Sequence, residues 1–215
     1  MEKLEIEYKD LSFEVYKRLK SMILARELVA GEQLKQEQIA ARFGVSRMPL
    51  HKAFQMLENE MLVESVPRRG YFVKNLDLIE ILDAFECREA IEGIAARRAA
   101  ENATPEEVEY LYSLFAPFAE NPENADLEKY EEADFLFHKA ILNLSGNKVL
   151  QKMEMFGNIL IKTYQRGLIR GPKDTFSEHI DIIDAIAKSD GEAAENLLRK
   201  HFRQSQLMIR KRMNG

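Results

Sequence analysis

The spacing of apolar residues divides the first third of the chain into three predicted helices. The first covers residues 11–27, where apolar side chains recur every three or four positions. A short second helix is predicted over residues 36–43, and a third runs from an N-capping Ser46 to about Met61. Gly44 lies in the turn between the second and third helices, where glycine permits the tight connection of a helix-turn-helix.

A predicted β-hairpin follows the third helix. Residues 62–66 and 71–74 have the composition of two short strands, and the turn between them, residues 67–70, contains two arginines. A helix-turn-helix followed by such a hairpin is the element order of a winged helix-turn-helix, which is a DNA-binding module. We therefore predict a DNA-binding domain over residues 1–75.

The rest of the chain has a helical apolar pattern throughout. Turn-forming residues divide it into about six helices, and no stretch alternates like a strand. Thr104 and Glu107 form a predicted capping box, and Thr175 and Glu178 form a second one. We predict an all-helical bundle over residues 76–215, so that the fold class is mainly α, with a winged helix-turn-helix followed by the bundle.

The distribution of charge agrees with this division. The whole chain has a net charge of −5, but residues 1–75 carry 13 Lys and Arg against 11 Asp and Glu, whereas residues 76–215 carry 18 against 25. Basic side chains in the predicted reading helices and wing favour contact with phosphates, because such contact releases counterions. These residues are Lys35, Arg42, Arg47, Lys52, Arg68 and Arg69. The alternative is that they form a solvated surface without a partner.

Composition predicts a soluble, cytoplasmic protein that is not inserted in a membrane. Charged residues make up 31% of the chain, and no apolar run approaches the roughly 18 residues of a membrane-spanning helix. The N-terminal residues lack the basic and apolar regions of a signal peptide. The single cysteine, Cys87, excludes an internal disulfide and fits a reducing compartment.

Five short motifs occur in one order along the predicted DNA-binding domain. They are Gly44-Val45-Ser46-Arg47, Met48-Pro49-Leu50, Leu57-Glu58, Leu62-Val63 and Arg69-Gly70-Tyr71-Phe72-Val73. This order resembles the N-terminal domain of GntR-family bacterial transcription regulators. The resemblance implies that the third helix enters the major groove and that the wing contacts the minor groove. It implies that Ser46 binds a phosphate, that Arg47 reads or clamps near a base edge, and that Arg68, Arg69 and Gly70 place the wing. Lys35 and His51 complete the predicted set of DNA-binding residues.

Two residues of the third helix depart from the pattern of that family. Met48 stands where the family usually has threonine, and His51 stands where it usually has arginine. Arginine can donate two hydrogen bonds to guanine, worth roughly 1–3 kcal/mol of discrimination, whereas histidine is shorter and has fewer donors. We therefore do not assign the usual operator half-site of the family to this chain.

Polar residues interrupt the apolar stripes of the predicted bundle helices. Asp134 and His138 are one turn apart on an inward stripe, and His179 and His201 each lie among apolar or small residues. Taken singly, each histidine is most simply a hydrogen-bonded core or interface residue. Taken together, the four residues predict a metal site inside the bundle.

The same four residues resemble the metal-binding pattern of the FCD effector-binding domain, found in the FadR-like branch of the GntR family. In many members, an Asp-x-x-x-His and two later histidines bind a metal, and the resemblance implies that role for Asp134, His138, His179 and His201. Three imidazoles and one carboxylate suit Zn²⁺ or Ni²⁺, with Mn²⁺ or Fe²⁺ as alternatives. An octahedral ion would keep positions for water or a carboxylate ligand, so a sensor site is predicted.

Arg88 lies on the inward stripe of the first bundle helix, where a buried charge needs a partner. One interpretation is structural, with Glu92, Glu131 or Asp134 as that partner. The other is functional, with Arg88 binding the carboxylate of a small effector. FCD domains are similar in using an arginine on this helix.

The sequence thus predicts a ligand-responsive transcription regulator rather than an enzyme. We expect a homodimer that binds a palindromic, double-stranded operator and senses a small organic acid at the metal and Arg88. Asn158 and Tyr164 are further candidates for lining the effector cavity. Two alternatives stay open. One is a metal-dependent enzyme, although no base or nucleophile motif accompanies the metal ligands, and the other is a regulator whose metal is purely structural.

Overall fold

The computed structural model describes residues 11–150 and 169–214 of the chain. They fall into two compact units, one ending at Asn75 and the other beginning at Leu76. Part of the helical pattern predicted for residues 76–215 lies outside the described residues, as do the candidate cavity residues Asn158 and Tyr164. Within the described ranges, no helix is both long enough and apolar enough to cross a membrane.

The first unit combines helices with a small antiparallel sheet. Its elements are α1 (Leu11–Leu24), β1 (Gln33–Leu34), α2 (Gln36–Phe43), α3 (Arg47–Asn59), β2 (Val63–Val66) and β3 (Gly70–Val73). The sheet order is β1-β3-β2, with Gln33 opposite Phe72 and Glu64 opposite the same residue on the other side. The predicted hairpin is confirmed, and β1 is an addition, because a two-residue strand is too short to produce an alternating pattern.

The core of this unit lies between α1, α3 and the sheet. It is formed by buried apolar residues that include Val15, Leu19, Ile23, Leu50, Phe54, Leu57, Leu62 and Tyr71. Gly44 adopts a left-handed conformation with φ of 65°, which turns the chain between α2 and α3. Ser46 occupies the predicted N-cap position of α3, but its side chain makes no capping hydrogen bond to the described residues.

The second unit is all-helical over the described residues. It contains α4 (Leu78–Asn102), α5 (Pro105–Phe115), α6 (Leu127–Leu144), α7 (Pro172–Ala187), α8 (Gly191–Asn214), and 3₁₀ turns at Ala116–Phe118 and Pro122–Asn124. The long helices α4 and α8 pack against each other. Their approach is close, because a Cβ added at Gly93 would lie 2.8 Å from Cγ of Arg199. The predicted mainly α class, with a winged helix-turn-helix before a helical bundle, is confirmed.

One of the two predicted capping boxes is correct. At the start of α5, Thr104 Oγ1 accepts from Glu107 N at 3.3 Å, and Glu107 Oε2 accepts from Thr104 N at 2.9 Å. The box predicted at Thr175 and Glu178 is wrong, because α7 already begins at Pro172. Proline is pre-organised for the first position of a helix, so both residues lie within α7 and are available for other contacts.

Candidate metal centre and nucleic-acid interface

Four side chains from three helices of the second unit converge on one point. Asp134 and His138 come from α6, His179 from α7 and His201 from α8. One ligand-capable atom of each lies within 4.8 Å of the others. All three histidines are buried, and Asp134 is partly exposed. The structure thus brings together the four residues predicted to bind a metal.

His179 is oriented by a chain of hydroxyl groups. The Thr175 hydroxyl donates to the Gly171 carbonyl at 3.2 Å and lies 2.9 Å from the Tyr130 hydroxyl, which lies 3.1 Å from His179 Nδ1. Because the Thr175 proton is used on Gly171, Tyr130 donates to Thr175 and its oxygen accepts from His179 Nδ1–H. The lone pair of His179 is therefore on Nε2, the nitrogen 3.2 Å from Asp134 Oδ1.

His138 is oriented by a buried carboxylate. Its Nδ1 lies 2.5 Å from Glu92 Oε2, while Glu92 Oε1 accepts from Arg88 Nε. Glu92 is fully buried, and a buried carboxylate needs partners within the protein. Each of its two oxygens has one in these contacts. This contact leaves His138 Nε2 as the ligand-capable nitrogen, 3.9 Å from Asp134 Oδ1. Carboxylate–imidazole pairs of this kind orient metal-binding histidines.

His201 is held by a third anchor. Its Nδ1 lies 2.9 Å from Glu178 Oε2. The Glu178 carboxylate in turn accepts two hydrogen bonds from the Arg170 guanidinium, at 2.7 and 2.8 Å. Burial alone would raise the pKa of Glu178, but the contacts with His201 and Arg170 outweigh it and lower that pKa to about 2. Glu178 is therefore ionised at neutral pH and directs Nε2 of His201 away from itself.

The electrostatics of the cluster fit a cation. Burial lowers the pKa values of His179 and His201, which favours the neutral, metal-binding form of each ring. Among the described residues, His179 Nε2 is buried without a hydrogen-bond partner. A lone pair facing a carboxylate is a repulsive arrangement that a bound divalent metal would relieve, and three nitrogens with one oxygen suit a transition metal.

Arg88 pairs with Glu92, as the structural interpretation of this arginine predicts. Its Nε donates to Glu92, and its guanidinium lies over the ring of Phe202, 4.6 Å from the centroid. Arg88 is therefore linked to the metal cluster through Glu92 and His138. The predicted effector contact of Arg88 is not tested by these contacts and stays a prediction.

The anchors of the three histidines were not predicted as site residues. The sequence pattern offers Glu92 only as a partner of Arg88, places Glu178 in a predicted capping box and assigns no role to Tyr130. Glu92 did carry a signal in the sequence, because it follows the inward-facing Arg88 by one helical turn and so falls on the same stripe, where a charged group needs a polar partner. Nothing in the sequence pattern connected Tyr130 or Glu178 to a particular histidine.

In the first unit, several predicted DNA-binding residues surround one cleft of about 410 Å³. Lys35, Arg47, Arg69 and Gly70 line it, and they come from the start of α2, the start of α3 and the wing. Ser46 is exposed beside them. The remaining wing residue, Arg68, adopts a left-handed conformation with φ of 64° at the hairpin turn. This cleft is a basic, concave surface beside the N-terminus of a helix, which suits phosphate binding.

Two contacts organise the side chains of α3. Arg47 donates from Nη2 to Glu37 Oε1 of α2 at 2.7 Å, and both side chains are highly exposed. His51, one turn further along α3, has Nε2 3.3 Å from the hydroxyl of Tyr71 on β3. The basic residue at the start of α3 is thus paired within the protein, and the histidine is fixed against the wing.

A winged helix-turn-helix unit with a basic cleft, together with a helical unit containing a His/Asp cluster, defines a DNA-binding regulator with a separate sensing domain. Comparison with known families agrees. Residues 11–73 match the gntR family of bacterial regulatory proteins, and residues 83–204 match the FCD domain. The chain belongs to the GntR family, as a transcription regulator with an FCD effector-binding domain.

Several relatives match this chain over most of its length. The HTH-type transcriptional repressor RspR of Escherichia coli is 24% identical over 202 residues, which cover 92% of this chain and 88% of the relative. The galactonate operon transcriptional repressor of the same species is 29% identical over 205 residues, 82% of this chain and 87% of the relative. The solved structure of E. coli McbR/YncC has the same fold, with a TM-score of 0.69 at 20% identity, covering 94% of this chain and 98% of that one.

Proposed function

We propose that this GntR-family regulator binds a palindromic operator as a homodimer and releases or strengthens that contact when a small carboxylate binds at a metal in its FCD domain. The observation that carries the metal assignment is the shared anchoring of His138, His179 and His201. Each ring has its Nδ1 engaged by a neighbouring side chain, so that Nε2 is left for a common ligand. Core histidines that serve packing alone have no reason to present their second nitrogens to one carboxylate.

The ligands of the proposed metal are Asp134, His138, His179 and His201. Zn²⁺ or Ni²⁺ suits this donor set best, because imidazole nitrogen is a preferred ligand of both. The metal would supply coordination positions for a carboxylate oxygen. The protein supplies the orientation, because Glu92, Tyr130 and Glu178 fix the rings.

A small carboxylate is the proposed effector. The relative named for the galactonate operon is associated by its name with a sugar acid, which is a carboxylate of the proposed class. Effector binding can change DNA affinity only if the two arrangements of the protein differ in effector affinity. A direct contact of the effector with Arg88 is also proposed, since an anion close to the guanidinium would compete with Glu92 for it.

Operator binding by a homodimer is proposed from the DNA-binding unit. A single winged module contacts one half-site, and two-fold operators require a protein with two-fold symmetry. The residues proposed to contact DNA are Lys35, Ser46, Arg47, His51, Arg68, Arg69 and Gly70.

The first experiment is elemental analysis of the protein purified without added metal, together with His138→Ala and His51→Ala. We expect about one equivalent of metal per chain in the wild type, its loss in His138→Ala and its retention in His51→Ala, which removes a histidine outside the cluster. Absence of metal from all three proteins, and failure of added Zn²⁺ or Ni²⁺ to bind, would contradict the proposed site.

The second experiment measures operator affinity during titration with small carboxylates, before and after metal removal by a chelator. We expect at least one carboxylate to change the affinity of the metal-loaded protein and to have no effect after chelation. A regulator with a purely structural metal would instead unfold its second unit on chelation. A metal-dependent enzyme would convert the carboxylate, which product analysis of the same samples would detect.

A further inference from the structure

The exposed face of α3 has a composition that the family assignment does not explain. Its exposed side chains are Arg47, Met48, His51, Lys52 and Gln55, opposite the buried Leu50, Ala53, Phe54 and Leu57, with Glu58 and Asn59 exposed at its C-terminal end. In a winged helix-turn-helix, this is the face that enters the major groove. Met48 is 71% exposed, which is the highest exposure of any large hydrophobic side chain among the described residues. An exposed apolar side chain on a polar, basic face is best accounted for by contact with an apolar group of a partner.

The major groove offers one apolar group, the 5-methyl of thymine. Met48 is in the first turn of α3, one residue after Arg47, and the start of a recognition helix is the part that reaches base edges. Its thioether chain is unbranched and flexible, so it can follow the position of a methyl group. Contact with a polar base edge would give the apolar side chain of Met48 no apolar partner.

His51 lies one turn along from Met48 on the same face, and the wing determines its orientation. The ring of Tyr71 is buried and stacks on Phe54 of α3, with a centroid distance of 4.6 Å. From this fixed position its hydroxyl is 3.3 Å from His51 Nε2, and the two rings are nearly perpendicular at 79°. Nε2 is therefore engaged inside the protein, and Nδ1 is the nitrogen left to contact a base.

Nδ1 offers a donor when the Tyr71 hydroxyl is the donor in its contact with Nε2. That hydroxyl is protonated at neutral pH, since burial and the nearby Glu58 carboxylate raise the pKa of Tyr71. A neutral imidazole that accepts at Nε2 carries its proton on Nδ1, and a protonated imidazole carries one there as well. In both cases Nδ1 is a single donor, whereas a neutral ring that donates from Nε2 to Tyr71 presents Nδ1 as an acceptor, and the N7 test distinguishes the two. In the major groove the purine N7 and the thymine O4 accept, whereas cytosine presents a donor.

We propose that Met48 contacts the 5-methyl group of a thymine and that His51, positioned by Tyr71, donates from Nδ1 to the N7 atom of a purine in the same half-site. This inference rests on the proposed operator binding and adds the base types that are read. A single donor cannot distinguish the N7 of guanine from that of adenine, and thymine O4 also accepts, so His51 disfavours cytosine without selecting guanine alone, and the 7-deaza analogues identify N7 as its acceptor.

The test uses the full chain and operators that differ by single atoms. Binding to a randomised duplex library first identifies the preferred half-site. Each thymine of that half-site is then replaced by deoxyuridine, which removes only the methyl group, and each purine is replaced by its 7-deaza analogue, which removes only N7. We expect one thymine whose methyl contributes about three- to five-fold in affinity and one purine whose N7 contributes about two- to ten-fold.

Variants assign each contact to a side chain. Met48→Ala should lose the difference between thymine and deoxyuridine but keep the N7 effect, whereas Met213→Ala, an exposed methionine of the second unit, should keep both. His51→Ala should lose the N7 effect. Tyr71→Phe preserves the buried ring, so it should reduce the N7 effect while leaving the methyl effect intact, which loss of packing alone would not do.

Several results would overturn this inference. The first is a wild-type affinity that deoxyuridine leaves unchanged at every thymine. The second is a wild-type affinity that 7-deaza analogues leave unchanged at every purine. The third is an affinity that falls equally in all variants. If the library yields no preferred sequence at all, operator binding itself fails and this inference fails with it. A preferred sequence without the two atomic effects overturns the base assignment and leaves operator binding intact.

Discussion

His138 Nδ1 lies 2.5 Å from Glu92 Oε2, so a hydrogen bond inside the bundle joins a proposed metal ligand on α6 to a buried carboxylate on α4. Glu92 also accepts from Arg88, one turn earlier on α4. The carboxylate thus connects the proposed effector residue with the proposed metal site. Removal of the Glu92 carboxylate should affect metal binding first, because the orientation of the His138 ring depends on that carboxylate.

Glu92→Gln should weaken metal binding about 10- to 100-fold, because glutamine has the same shape but loses the charge that orients His138. Competition with a coloured chelator measures the affinity, and circular dichroism verifies that the bundle remains folded. The control is Glu89→Gln, whose carboxylate on the same helix pairs with Arg203 and Gln206 and not with the cluster. Equal metal affinity in wild type and Glu92→Gln would contradict the role given to Glu92.

Tyr130→Phe should lower metal affinity by about tenfold, because the hydroxyl that accepts from His179 Nδ1 is lost. The same change should lower the free energy of unfolding by about 1 kcal/mol through the loss of a buried hydrogen-bond chain. Tyr110→Phe, at an exposed tyrosine of the same unit, should change neither quantity. If the two variants bind metal equally well, the hydroxyl chain does not determine the tautomer of His179.

Glu37→Gln should increase operator affinity several-fold at low salt. Glu37 is the partner of Arg47, and its replacement frees the guanidinium and removes a carboxylate that phosphates repel. The gain should shrink as salt concentration rises, since it is electrostatic. Glu27→Gln makes the same change of charge at an exposed position of this unit and should have a smaller effect. A fall in affinity would mean that Glu37 holds Arg47 in its binding orientation.

Tyr112→Phe should change how the free energy of unfolding depends on pH in the alkaline range. The Tyr112 hydroxyl donates to Asp184 at 2.6 Å and joins α5 to α7. Burial and the Asp184 carboxylate raise the pKa of Tyr112 to about 12. Because the folded pKa exceeds the unfolded value of about 10, the stabilising contribution is fully present below about pH 10 and is lost as pH rises through about 12.

The measurement for Tyr112→Phe is urea unfolding at several pH values. The variant should be less stable than the wild type by about 1 kcal/mol at pH 8, and the difference should shrink between pH 10 and 12. A difference that stays constant over this range would show that the Tyr112 hydroxyl does not titrate as described.

The four converging residues show how much of the site the sequence could predict. Helical periodicity identifies which face of a helix turns inward, so a polar residue on that face is visible without a structure. This was sufficient for Asp134, His138, His179 and His201, which the structure brings within 4.8 Å of one another. The prediction that they bind a metal is a separate step, which elemental analysis tests.

The sequence by itself determined the elements and their faces: the helix-turn-helix around Gly44, the hairpin, the helical second half and the inward polar residues. These follow from local properties such as periodicity, glycine and proline. Only the tertiary structure decided the partners, which include Glu92 for His138, Tyr130 for His179, Glu178 for His201 and Tyr71 for His51. Each of these contacts joins residues 20 or more positions apart, and helix phase specifies an inward direction but not which neighbouring element supplies the atom found there.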